Sequence, residues 1–395
     1  MRRVLLVLLL GLLSGFGPIA IDMYLPALPQ LTHDLGIGAS TAQLTLAVCL
    51  GGLAVGQLVS GPLSDRYGRK RPLLGGLALF VAASLACAAA PGAAALIVLR
   101  FVEGLGGGFG IAISRAVARD ITTGRALAGF LSAMMLVNGL APILSPVIGA
   151  QLLHVTDWRG IFVVLAGIGA AALLGVVLVL RETLAPEQRR SGGFDDVRAT
   201  TKELLADRVF LGYLVVLAFS FGAMFAYIAG SSFVVEDIHG GSPQLYGAIF
   251  ALNGVGIVCA SQLNRYLLRS HSELTLLAAG VVASACGGFA LLAVVVAGIG
   301  LVGIVPSFFV LVASLGMILP NATALALAPH PHVAGAASGL IGIFQYAVGV
   351  VAAPIVGIAG THSAYPMAIV IALLGGASLI ALRHVRNVPE YAEPR

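Results

Sequence analysis

Three ionisable residues fall inside long apolar runs of this 395-residue chain: Asp22, Arg100 and Glu103. A charged side chain in hydrocarbon costs about 2.5–3.5 kcal/mol, so each needs a reason to be there. A carboxylate at that depth can take up and release a proton, and an arginine nearby can set when it does so. Arg100 and Glu103 are three residues apart, neighbours on one helical face, where they can pair directly. The pair reads either as part of a proton relay or as an ion pair that fixes helix packing. Asp22 stands beside Met23-Tyr24-Leu25-Pro26 near the end of its run, so it is either a proton carrier or a residue wetted at the membrane face. The second half places no Asp, Glu, Lys or Arg at mid-membrane depth, so proton-binding groups are expected in the first half.

Other chemistries find no support. Cys49, Cys87, Cys259 and Cys286 lie in apolar segments without metal-ligand or disulfide spacing, so no metal is expected. The histidines, among them His330 and His332, fall in loops or at helix ends. The run Gly104–Gly110 follows no strand and sits inside an apolar segment, which points to close helix packing and not to a dinucleotide loop. There is no Walker A sequence, no catalytic constellation and no expected cofactor, so the chain is not read as an enzyme. Tyr24, Tyr227, Asn253, Asn321, Gln345 and Tyr346, with Asp22, are the polar and aromatic positions that could contact a small molecule. Each is also a candidate for an ordinary helix-packing hydrogen bond.

Membrane helices must position these groups. Hydrophobic residues make up 59% of the chain and charged residues 10%, where a soluble domain carries about 25% charged. The formal net charge of +5 sits in short loops with no aromatic-interleaved patch, which excludes nucleic acid as a partner. Apolar windows predict twelve spanning helices, near 4–26, 41–64, 72–90, 94–117, 127–153, 160–180, 209–234, 244–267, 274–297, 299–327, 334–360 and 364–383. Arg2-Arg3 ahead of Val4–Leu13 resembles the opening of a signal peptide. No small-residue cleavage site follows, so a retained first helix is expected. With both termini cytoplasmic, twenty of the 22 basic residues fall on the cytoplasmic side; only Arg100 and Arg159 do not. Hydrophobicity drops between the sixth and seventh helices. The expected division is therefore a six-helix bundle over 1–182, a cytoplasmic linker over 183–207 and a second bundle over 208–395. Pro146-Val147-Ile148-Gly149 is echoed by Pro354-Ile355-Val356-Gly357, and Asp65-Arg66 by Asn264-Arg265, as in an internal duplication.

Specific motifs sharpen this. Gly61-Pro62-Leu63-Ser64-Asp65-Arg66-Tyr67-Gly68-Arg69-Lys70-Arg71-Pro72-Leu73 closely resembles the loop signature of the major facilitator superfamily. The resemblance implies a twelve-helix fold of two pseudo-symmetric bundles and a cytoplasmic latch. Gly61, Asp65, Arg66, Gly68 and Arg69 would form it together with Arg115, Arg119 and Asp120. Leu99–Gly104 resembles the fourth-helix motif of proton-coupled members, with Glu103 where a glutamine is usual; Glu103 then either titrates or locks Arg100. Gly139–Ala150, the stretch that carries Gly139, Pro142, Pro146 and Gly149, resembles the fifth-helix antiporter motif of drug exporters, with Ser145 and Ala150 replacing glycines. Ile21-Asp22-Met23-Tyr24-Leu25-Pro26-Ala27-Leu28-Pro29 closely resembles the first-helix signature of the Bcr/CflA branch, the bicyclomycin, chloramphenicol and florfenicol exporters. That likeness implies proton-driven export of an amphipathic drug, a phenicol first, across a bacterial inner membrane by a monomer. It also implies functional roles for Asp22 and Arg100. A metabolite transporter of the same fold, for a sugar, peptide or amino-acid derivative, is the alternative.

Overall fold

The computed structural model describes residues 2–121, 140–185, 201–330, 334–358 and 363–386, which are helical with no β-strand among them. The chain divides into two compact units, Met1–Gly192 and Gly193–Arg395.

In the first unit the opening apolar run is not one straight helix. α1 (Arg2–Ser14) ends at Gly15, and the chain resumes at a 52° bend as α2 (Phe16–Asp22), a 3-10 turn (Leu25–Ala27) and α3 (Leu28–Leu35). Pro26 and Pro29 occupy the second position of the 3-10 turn and of α3, where a missing N–H removes no intrahelical bond. The span therefore runs to Leu35, well past the expected boundary at 26, and Asp22 lies inside it and not at its end.

The unit continues with α4 (Ala39–Tyr67), α5 (Lys70–Ala88), α6 (Ala93–Ile121), α7 (Leu140–Leu152) and α8 (Trp158–Val179). α4 and α6 have 29 residues each, about 44 Å at 1.5 Å per residue and longer than a bilayer core. The glycines of α6 let its neighbours approach at backbone distance. A Cβ at Gly106 would stand 2.6 Å from the Phe80 nitrogen of α5, and one at Gly108 would stand 2.6 Å from the Leu53 carbonyl of α4. Substitution there must move backbone, which explains the glycine run in terms of packing.

The second unit holds α9 (201–206), α10 (Arg208–Phe233), a π-turn (Val234–Ile238), α11 (Pro243–Leu267), α12 (Glu273–Ala297), α13 (Leu301–Leu327), α14 (Ala334–Val356) and α15 (Tyr365–Arg386). Its helix starts are capped by side chains: Asp207 for α10, Ser242 for α11 and Ser272 for α12. Phe210, Tyr213 and Leu217 of α10 form a core with Leu315 of α13, Ile341 of α14 and Leu382 of α15.

Among the described residues ten helices are long and apolar enough to cross a membrane, and eleven if the bent first pair counts as one. The remaining expected segment, 127–153, lies outside the described residues up to 139. Its described part is the shorter apolar helix α7.

Candidate functional site

Arg100 and Glu103, on α6, are fully buried. Arg100 Nη1 donates to Glu103 Oε2 at 2.5 Å, and Ser84 Oγ of α5 donates to Glu103 Oε1 at 2.7 Å. Both carboxylate oxygens are thus engaged. Arg100 Nη2 donates to the Ala20 carbonyl at 3.1 Å. That carbonyl is available because the chain tightens at this point: Tyr24 N bonds to Ile21 O at 3.3 Å, as in a 3-10 turn, and not to Ala20 O four residues back. The guanidinium also lies over the rings of Tyr24, 5.0 Å from the centroid, and Phe162, at 5.5 Å. The break in the first span and the charge on α6 therefore form one assembly.

Asp22 differs in kind. It is 5% exposed, and its side chain makes no hydrogen bond or ion pair among the described residues. α7 packs along the same break: a Cβ at Gly15 would lie 3.4 Å from Ala141 Cβ, and one at Gly149 would meet the Met23 carbonyl carbon at 2.9 Å. The antiporter-motif helix thus presses on the turn that carries Asp22, through Gly149. Pro142 and Pro146 lie on the same helix, and Gly139 falls outside the described residues.

At the Asp65 end of the unit, Gly68 (φ +86°) terminates α4 in the left-handed region that favours glycine, and turns the chain into Arg69. Arg69 binds Asp65, donates from Nε to Asp120 Oδ2 at 2.9 Å, and donates from Nη1 to Ser64 Oγ at 2.9 Å. Of the expected latch residues, Asp65, Arg69 and Asp120 come together. Arg66 instead lies over the Tyr67 ring, Arg115 is exposed and unpaired among the described residues, a Cβ at Gly61 would meet nothing within 4 Å, and the Arg119 side chain lies outside the described set.

Glu182 and Thr183 belong to this cluster although no motif marks them. Thr183 Oγ1 donates to Asp120 Oδ2 at 2.9 Å, while Glu182 accepts from the backbone N–H groups of Arg69 (2.8 Å) and Lys70 (3.1 Å) at the start of α5. Partial burial acts to raise the Glu182 carboxyl, but four backbone N–H bonds outweigh it and hold the group below its ordinary value.

In the second unit, Asn253 Nδ2 donates to Tyr227 OH at 2.9 Å, and Tyr227 stacks with Phe250 and meets Phe308 edge-on. Asn321 forms a reciprocal amide pair with Asn264 (Nδ2 to Oδ1, 2.6 Å) and donates to Met317 O, so its amide serves helix packing. Tyr346 meets Phe221 edge-on at 5.9 Å, and Gln345 is half-buried. The position that echoes Asp65 thus carries a neutral amide bridge, Asn264–Asn321, between α11 and α13. His330 pairs with Asp207 at 2.8 Å beside the edge of Phe210.

Apolar helices of spanning length around a buried ion pair and a lone buried acid define a membrane transporter. Residues 8–354 match the Major Facilitator Superfamily, and the chain belongs to it; it is a transporter and not an enzyme. It is 37% identical over 390 residues to the uncharacterized MFS-type transporter YdgK of Bacillus subtilis, covering 98% of this chain and 97% of that one. It is 31% identical over 363 residues to a bicyclomycin resistance protein homolog of Haemophilus influenzae, covering 91% of each. In fold it resembles the Escherichia coli xylose transporter XylE, with a TM-score of 0.71, 16% identity, and coverage of 98% of this chain and 97% of that one.

Proposed function

We propose that the chain is a proton-coupled drug exporter of a bacterial inner membrane, working by alternating access. Its twelve helices lie in two bundles, 1–182 and 208–395, joined by a cytoplasmic linker over 183–207, with both termini cytoplasmic. The likeness to a bicyclomycin resistance protein homolog supports the drug class, and a phenicol is the first substrate to try. One observation carries the coupling: Asp22 is buried and unpartnered, in the turn whose freed carbonyl holds Arg100 and on which Gly149 packs. Glu103 has both oxygens engaged and serves to hold Arg100, which leaves Asp22 as the acid free to exchange a proton. Drug binds when Asp22 is ionised; a proton arriving from outside neutralises it and the drug leaves. A charge moved through 100 mV supplies about 2.3 kcal/mol to this cycle. The Asp65–Arg69–Asp120 cluster acts as the cytoplasmic latch.

The test is uptake of a phenicol panel into inverted membrane vesicles under an imposed pH gradient, with Asp22→Asn beside the parent. Gradient-driven uptake that Asp22→Asn abolishes is the expected result. Uptake that survives the substitution removes Asp22 from the coupling.

A further inference from the structure

The outer turn of α10 does not close as an α-helix. From Val234 to Ile238 the backbone follows a π-turn, a geometry that is rare and concentrates at functional sites. Two oxygens on this stretch are sealed from solvent and have no hydrogen-bond partner among the described residues: Ser232 Oγ, in a residue 0% exposed, and Glu236 Oε1. The residues are four apart and share a helix face.

Three other buried hydroxyls of this unit show the usual arrangement. Ser307 donates to Gly303 O at 2.9 Å, Ser314 to Leu311 O at 2.6 Å, and Ser220 pairs with Ser378 at 3.0 Å. A buried hydroxyl without a partner is unfavourable, and Glu236, a half-buried residue, adds a carboxylate with one oxygen sealed and no counter-charge. Two such groups one turn apart mark a site that takes a positive charge.

The donor set decides which one. A hard metal cation needs about six oxygens, and the backbone oxygens nearest the turn are already used. His239 Nδ1 lies 2.7 Å from Val234 O, and Gly241 N donates to Val235 O at 2.8 Å. One carboxylate and one hydroxyl suit a proton. The neighbouring charge is Asp237. α10 brings no other charged residue after Arg208, and α11 brings Tyr246 and then no charged residue before Arg265. α13 has no charged residue along its length.

We infer that Glu236 is a second proton-binding carboxyl of this transporter, with the Ser232 hydroxyl accepting the hydrogen bond of the protonated acid. Its role in transport rests on the proton-coupled reading above; the binding itself is measured without any drug.

Infrared difference spectra of the purified, reconstituted protein between alkaline and acidic buffer read carboxylic-acid groups directly. The parent should gain an acid carbonyl band that is lost in Glu236→Gln and shifted in Ser232→Ala, while Asp22→Asn retains it. Glu236→Asp, which keeps the acid, guards against a misfolded Gln variant and should restore a shifted band. An unchanged spectrum in Glu236→Gln, or no band from Glu236→Asp, overturns the inference. Drug export that ignores the pH gradient, with the Glu236 band intact, would overturn the coupled-efflux reading and leave the proton site standing.

Discussion

At the scale of the residue, the Arg100–Glu103 pair poses a question that its geometry makes answerable. Removing one member of a buried ion pair leaves a naked charge and costs about 3–5 kcal/mol, whereas replacing both with apolar residues is often neutral. Arg100→Leu should therefore lower the melting temperature sharply, and Arg100→Leu with Glu103→Leu should recover most of that loss. Transport should stay abolished in both, because the double variant also removes the guanidinium from the Ala20 carbonyl and the Tyr24 ring. A double variant that melts and transports like the parent would make the pair structural only. The spacing of Arg100 and Glu103 was legible in the sequence because charge inside an apolar run is conspicuous. Ser84 was not, since a serine in such a run usually bonds back to its own helix, as Ser114 does to Ile111 O. Nor could sequence tell Asn321, tied to Asn264, from Asn253, tied to Tyr227. An amide looks the same in either use.

At the scale of the element, helix ends were the least legible feature, and for a consistent reason. The expected boundaries at 26 and 234 fall short: Pro26 and Pro29 lie at the start of new helical turns, and Glu236 and Asp237 sit in a π-turn that extends α10. The continuation of α10 carries the candidate proton site Glu236, and the continuation to Leu35 moves Asp22 from the end of its span to the interior. Capping explains how α5 begins: Glu182 accepts from its first N–H groups, a contact between residues 113 apart that no local pattern reveals. This contact makes a pH prediction. The Glu182 carboxyl is held below its ordinary value of 4.5, so its stabilisation is fully present above that value and is lost as pH falls through the lower, folded value. Glu182→Gln should cost about 1 kcal/mol at neutral pH, the usual worth of a cap. The difference from the parent should vanish in strong acid. Melting curves of the two proteins across pH would show it; a gap that persists unchanged in acid would mean that the cap does not depend on the charge.

At the scale of the whole molecule, everything about sidedness turns on one segment. Hydropathy and the basic residues were legible because a bilayer imposes them on the entire chain. The crossing by 127–153 is the step on which the rest depends, and the described part of it, Leu140–Leu152, is shorter than the roughly 20 residues a span requires. If that segment crosses, Ser191 and Arg395 face the cytoplasm together with the Asp65 loop, and twenty of 22 basic residues share that side. If it does not, every loop after it changes sides, and the basic residues of the second half point outward against the usual bias. Single cysteines in a background lacking Cys49, Cys87, Cys259 and Cys286 separate the cases. Asp34→Cys and Gly240→Cys should react with an impermeant thiol reagent in right-side-out vesicles. Ser191→Cys and Arg395→Cys should react only in inverted ones. Labelling of Ser191→Cys from the outside would remove the twelve-helix topology, and with it the cytoplasmic placement of the linker. The Arg100–Glu103 assembly and the break at Asp22 would survive such a result, because they are held within the first unit by contacts among α2, α5, α6 and α7.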